Sequence, residues 1–254
     1  VKRGSFRFYA ELNDFLPEGR RNTFSDLTFR GRQSVKHLVE SLGVPHTEVV
    51  KILVNGERVG MDYLVQDGDR VQVYPVSQGD SQTAKGAQNP HHQACFVIDN
   101  HLGRLAYYLR MLGFDAVYRN DIQDDELAYR SAEEGRILLT RDVRLLMRNA
   151  ITRGYWVRSL APREQLVEVV GRFELVAQIR PFRRCMRCNG VLEPVSKEAI
   201  LDRLEPLTKK YFYDFRICPQ CLQVYWKGSH YDRMQSLIGR LFHTQQGSGD
   251  EDSL

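Results

Sequence analysis

Two Cys-x-x-Cys pairs, Cys185/Cys188 and Cys218/Cys221, constrain this chain more than any other feature. Each pair makes a tight turn that aims two thiolates at one point, and 29 residues lie between the pairs. The pattern suits one zinc ion held tetrahedrally by four sulfurs. The gap exceeds the usual ~15–20 residues, so the stretch between the pairs must itself fold or loop. Four thiolates leave no open coordination position, which makes the zinc structural. An iron–sulfur cluster and a redox dithiol pair are the alternatives. Cysteines used this way point to a reducing compartment, and the cytoplasm is the expected location. The fifth cysteine, Cys95, opens the apolar run Cys95-Phe96-Val97-Ile98 and reads as a small buried residue.

No stretch approaches the roughly 18 apolar residues of a membrane helix, and the first residues lack the apolar core of a signal peptide, so no membrane partner is expected. Charge is unevenly spread. Residues 181–249 hold 11 Lys and Arg against 6 Asp and Glu, whereas residues 1–80 hold 11 of each. Between residues 86 and 196 there is no lysine, only arginine. Arginine forks match phosphate oxygens, which suits a polyanion; compositional bias is the plainer explanation.

The polar run from Ser77 to Gln93 has too little apolar surface to offset the entropy of ordering it, so residues 78–93 read as a flexible linker. Residues 244–254 read as a disordered tail. Ahead of the linker, residues 1–77 carry strand patterns at Ser5–Tyr9 and Asp26–Phe29. A helical stripe follows at Val35, Leu38, Val39 and Leu42, closed by Gly43. The strand Val50–Val54 then enters an Asn55-Gly56 turn, and Val71–Val76 is the last strand. Hairpin, helix and further strands at this length make a β-grasp, ubiquitin-like fold. After the linker, strands alternate with helices, the signature of a parallel α/β domain, here residues 94–180 with a ribbon at 181–243.

Asp99 and Asp142 each follow a short buried strand, and groups at the carboxyl ends of parallel strands converge on one crevice. Asp124-Asp125-Glu126, at the start of a helix that Asp124 or Asp125 caps, offers a third carboxylate. Several carboxylates in one crevice call for Mg2+ or Mn2+, and such cations activate water for phosphodiester hydrolysis. The plainer reading makes these aspartates turn and cap residues. Arg104, Arg110 and Arg141 are candidate phosphate contacts or ordinary surface and ion-pair arginines. Tyr107 and Tyr108 are base-stacking candidates or core. Arg183, Arg184 and Arg187 crowd the first cysteine pair and would grip RNA.

Two resemblances sharpen this picture. Leu53-Val54-Asn55-Gly56-Glu57 and Asp67-Gly68-Asp69-Arg70-Val71-Gln72-Val73 are similar to the ThiS/MoaD-type ubiquitin-like domains. Those carriers act through a terminal Gly-Gly, whereas here the strand runs on into the linker, so the module is read as one for interaction with a protein partner or as a scaffold. The run from Asp99 to Asp115, Asp124-Asp125-Glu126-Leu127, the stretch Glu134 to Asp142, both cysteine pairs and Tyr225-Trp226-Lys227-Gly228-Ser229-His230 resemble the Mut7-C ribonuclease family. That family resembles PIN-fold nucleases with a terminal zinc ribbon. The resemblance implies RNA as substrate, with Asp99, Asp124 or Asp125, and Asp142 as metal ligands and His230 as a further RNA contact. Many PIN nucleases have another acid soon after the Asp142 position; here Val143-Arg144-Leu145-Leu146 follows. The rival function is a non-catalytic RNA- or ribosome-binding adaptor built on the ribbon.

Overall fold

Alternation of apolar and polar residues in the first strand sets the N-terminal architecture of this computed structural model, which describes residues 1–75, 93–228 and 239. The linker from 78 to 92, His230 and the 244–254 tail lie outside the described residues. Strand β1 (Lys2–Phe8) turns Phe6 and Phe8 inward and is followed by β2 (Ser25–Phe29), its antiparallel neighbour. Helix α1 (Val35–Ser41) starts at Ser34, whose hydroxyl accepts from the His37 amide at 3.2 Å, and it closes at Gly43 with φ +98°. Strands β3 (Val49–Val54) and β4 (Glu57–Val59) form a hairpin on Asn55 and Gly56, with φ of 54° and 92°. Strand β5 (Arg70–Pro75) runs parallel to β1 and completes a sheet of order β2-β1-β5-β3-β4. One long parallel pair flanked by antiparallel strands, with a helix on one face, is the expected β-grasp.

Its core joins Phe6, Phe8, Val35, Leu38, Val39, Ile52, Val54, Val71 and Val73. Each such side chain, taken from water to the interior, contributes about 1.5–3 kcal/mol. The buried Asp69 carboxylate is tolerated because it accepts from Asn55 Nδ2 at 2.8 Å, the Gln66 amide at 2.8 Å and the Tyr63 hydroxyl at 3.2 Å.

Beyond residue 93 the strands are short and parallel. The chain runs through β6 (Cys95–Ile98), α2 (Gly103–Met111), β7 (Asp115–Val117), α3 (Asp124–Glu133), β8 (Ile137–Thr140), α4 (Val143–Leu146), β9 (Gly154–Trp156) and α5 (Pro162–Arg172). Strands β6 and β7 pair in parallel, as do β8 and β9. Three antiparallel strands end the described chain: β10 (Glu193–Val195), β11 (Phe215–Ile217) and β12 (Val224–Trp226), with α6 (Pro206–Tyr211) between the first two. The long gap between the cysteine pairs therefore holds folded structure, as its length requires. No described helix is long and apolar enough to cross a membrane.

The chain gathers into two units that do not follow sequence order: Val1–His92 with Ile122–Trp156, and Gln93–Asp121 with Val157–Leu254. In the first, the β-grasp packs on the segment around β9. The Glu48 carboxylate, wholly buried, accepts the Trp156 backbone N–H at 2.7 Å. His46 bridges Glu40 Oε1 at 2.7 Å and the Ile151 carbonyl at 2.8 Å, and Lys36 reaches Asn149 Oδ1 at 2.8 Å. The Phe15 and Trp156 rings meet with centroids 4.9 Å apart. In the second unit, α2 packs on α5. Gly113, at φ +94°, lets the chain at Arg180 cross so closely that any Cβ there would collide with the Arg180 carbonyl.

Candidate metal centre and nucleic-acid groove

Both Cys-x-x-Cys turns are built alike. The Asn189 amide donates to the Cys185 carbonyl at 2.9 Å, and the Leu222 amide donates to the Cys218 carbonyl at 2.8 Å. In each, the residue after the second cysteine is left-handed, Asn189 at φ 71° and Leu222 at φ 59°. Gly190 then leaves room for Cys218 Sγ, which a Cβ would approach to 2.9 Å. The four sulfurs all lie within 4.8 Å of one another, with Cys185–Cys221 at 3.5 Å and Cys188–Cys218 at 3.4 Å. Zn–S bonds of ~2.3 Å in a tetrahedron set sulfurs roughly 3.8 Å apart, so the donor set fits one zinc.

Around it stands a supporting layer. The Tyr225 hydroxyl lies 3.1 Å from Cys185 Sγ. Burial raises the Cys185 thiol, but the hydrogen bonds from Tyr225 and from the knuckle backbone outweigh it and bring it down to about 7. Burial pushes Cys188 up to about 12.

Arg110 and Arg184, two of the arginines expected on RNA, tie this knuckle to the rest of its unit. Arg110 is 4% exposed. Its Nε donates to the Ala116 carbonyl at 2.9 Å, Nη1 to the Met186 and Arg187 carbonyls at 3.3 and 3.0 Å, and Nη2 to Tyr118 at 3.4 Å. Burial lowers its pKa below the usual guanidinium value. Arg184 pairs with Asp115 Oδ2 at 3.2 Å and donates to the Asn189 carbonyl. Asn189 itself holds Asp115 Oδ1 and the Ala116 amide at 2.8 and 3.0 Å. Helix α2 and strand β7 thus carry the first knuckle directly.

Arg104 and Arg187 are placed differently. Both are exposed, without a side-chain partner among the described residues, and both line a groove of about 570 Å³ between the starts of α2 and α5 and the first knuckle. Tyr107, Tyr118, Gln165, Asn100 and the buried Arg110 also line it. The Tyr118 hydroxyl donates to the Asn100 carbonyl at 3.1 Å, while Asn100 Oδ1 is buried without a partner among the described residues. Arg183 is exposed, and Arg141 is half-buried with its carbonyl accepting from Trp156 Nε1 at 3.2 Å.

The carboxylates occupy different surroundings. Asp99 follows β6 and is 6% exposed, in the second unit. In the first unit, Asp142 caps α4: Oδ1 accepts the Arg144 amide at 2.8 Å and the Leu145 amide at 3.4 Å. Its Oδ2 has no partner among the described residues. The cap of α3 is Gln123, not an aspartate; Asp124 and Asp125 sit in the first turn, where the helix dipole favours negative charge. Asp125 pairs with Arg148 at 2.6 Å and Glu126 with Arg130 at 2.9 Å, leaving Asp124 exposed and unpaired among the described residues.

Residues 94–238 match the family described as the Mut7-C RNAse domain, and residues 2–80 match the one described as Mut7-C ubiquitin. No curated protein matches the chain. Among solved structures, the small archaeal modifier protein 1 of H. volcanii is 16% identical, covering 30% of this chain and 100% of its own, with a TM-score of 0.25. The putative molybdopterin converting factor, subunit 1, from Pyrococcus furiosus is 20% identical, covering 30% of this chain and 100% of its own, with a TM-score of 0.24.

Proposed function

Because the chain belongs to the Mut7-C RNAse domain family, we propose that it is a metal-dependent ribonuclease with a structural zinc at Cys185, Cys188, Cys218 and Cys221. The observation that carries this reading is the groove holding Arg104 and Arg187, two unpaired cations beside Tyr107. The arginines take RNA phosphates, and Tyr107 offers a ring to a base. Asn100 Oδ1, a buried acceptor, takes a donor from the ligand, such as a ribose hydroxyl.

By the family resemblance, Asp99, Asp142 and Asp124 are each candidate carboxylate ligands for Mg2+ or Mn2+, hard cations that take carboxylate oxygens. Asp124 is favoured over Asp125 because Arg148 already occupies the latter. Asp142 serves twice: Oδ1 fixes the carboxylate against α4, and Oδ2 stays open. A cation held by such carboxylates would supply water activation and stabilisation of the leaving oxygen. The thiol chemistry suits the cytoplasm.

Incubating the purified protein with single-stranded RNA in Mn2+, Mg2+ or EDTA tests this. Cleavage in the metals and none in EDTA is expected, with Asp99→Asn and Asp142→Asn inactive yet folded. Full activity in either folded variant removes that residue from the site. The second reading, an RNA-binding adaptor, is favoured by the cap role of Asp142 and the ion pair of Asp125; it predicts tight RNA binding with no cleavage in any metal.

A further inference from the structure

Residues 1–80 carry no net charge by count, yet the fold sorts that charge. Several of the acids are tied down: Glu48 is buried against Trp156, Asp69 is buried among Asn55, Gln66 and Tyr63, and Glu40 meets His46. On the sheet face opposite the core, Asp26 is held by Arg3 and Ser5. Across that same face the strand register aligns Arg7 of β1, Gln72 of β5, Leu53 of β3 and Arg58 of β4 in one row.

A run of alternating cations and rings crosses it. Lys51 Nζ lies 5.1 Å from the Tyr74 ring centroid, Tyr74 stacks on Tyr9 at 4.2 Å and 9°, and the Arg7 guanidinium lies 4.9 Å from Tyr9. Arg7 also lies 5.8 Å from Phe24, and Arg70 lies 4.4 Å from the other end at Phe24. Gln72 Nε2 donates to the hydroxyls of both tyrosines, at 2.7 and 3.3 Å. Among the described residues no carboxylate pairs with Lys51, Arg7 or Arg70, and Arg7 Nε is buried without an acceptor. Burial raises the Tyr9 phenol, but hydrogen bonds from Tyr74 and Gln72 and the fields of Arg7 and Arg70 outweigh it and set the phenol below its usual value. Burial and the hydrogen bond with Tyr9 raise the neighbouring Tyr74 phenol.

We propose that this sheet face is a second RNA-binding site, in which Lys51, Arg7 and Arg70 grip the phosphate backbone of single-stranded RNA. The rings act on the cations, not on bases. Tyr9 and Tyr74 are stacked on each other and flanked by cations, so they hold the charges in place and lower the ordering cost of binding. Phosphate is the complementary group, and recognition is indifferent to base sequence. An acidic protein surface also complements three cations; cations strung along one line with rings between them favour a regular, repeating polyanion over a folded partner.

The identity of that polyanion rests on the ribonuclease reading, and the test keeps the two separate. Binding of fluorescent oligouridine and oligoadenine to the full chain is measured in EDTA over a salt series, for wild type and for the triple variant Arg7→Gln, Lys51→Gln, Arg70→Gln. The slope of log K against log salt should fall by about 2, at ~0.7 per contact on single strands, equally for both oligonucleotides. A double variant sparing the half-buried Arg7 should lose about 1.4 and guards against a folding defect. An unchanged slope in a chain that cleaves RNA overturns the proposal and leaves the ribonuclease reading standing. A reduced slope in a chain that cleaves nothing supports the proposal and removes that reading. Loss of polyglutamate binding with RNA binding intact overturns it in favour of an acidic protein partner.

Discussion

Arg110 and Arg184 show how far a side chain's identity underdetermines its task. Both carry the fork that suits phosphate, and both direct it at the protein's own backbone or a carboxylate. Arg110→Met should leave four carbonyls short of a donor, costing on the order of 1–3 kcal/mol per unsatisfied buried group, and speed zinc loss to a chelator. Lysine should rescue poorly, because a point charge cannot span the fork's partners; denaturant melts and chelator kinetics read both effects. Arg187→Ala, by contrast, should leave stability within about 0.5 kcal/mol and lower the RNA salt slope by about 0.7. Salt-series binding on Arg184→Ala should show the reverse pattern, lost stability with an unchanged slope. Some of this was readable beforehand: Arg110 lies one turn after Ala106, which is wholly buried, so a helical wheel places its base inside. Nothing local announced that Asp115 would lie where it meets Arg184, since 69 residues separate them.

Elements with strong local chemistry were the most legible. Asn55-Gly56 specified its hairpin and Ser34 its helix start, and the cysteine pairs specified two knuckles that converge as their spacing required. Less local preferences misled by one position: Asp124 looked like a cap, but Gln123 takes it and the acids occupy the first turn, a difference typical of helix boundaries. The knuckles also depend on features that the Cys-x-x-Cys pattern omits, the left-handed Asn189 and the crowded Gly190. One zinc per chain is expected by elemental analysis. Cys188→Ser or Cys221→Ser should unfold the ribbon locally, since structural zinc contributes about 10–16 kcal/mol in finger peptides. Circular dichroism with and without chelator would show it, and a ribbon that stays folded without metal would refute it.

At the scale of the molecule, sequence order and spatial order part company. The polar run at 78–93 reads as a linker, and residues 1–92 share a unit with 122–156. The interaction is made by Glu48, His46, Lys36 and Phe15, four residues of unlike type drawn from three separate segments, which no periodicity reveals. Glu48→Ala should cost about 1–3 kcal/mol by stranding the Trp156 N–H, and that amide should exchange faster with deuterium. Unaltered exchange would mean the carboxylate does not hold the strand. Glu48 has one more consequence. Strand β9 pairs with β8, and the Trp156 N–H that would otherwise await a partner is occupied by a side chain that no incoming peptide can easily displace. Through Glu48 the ubiquitin-like module thus covers a polar group at the edge of the β8–β9 pair. A chain shorn of residues 1–75 would expose a naked strand and should tend to self-associate through it.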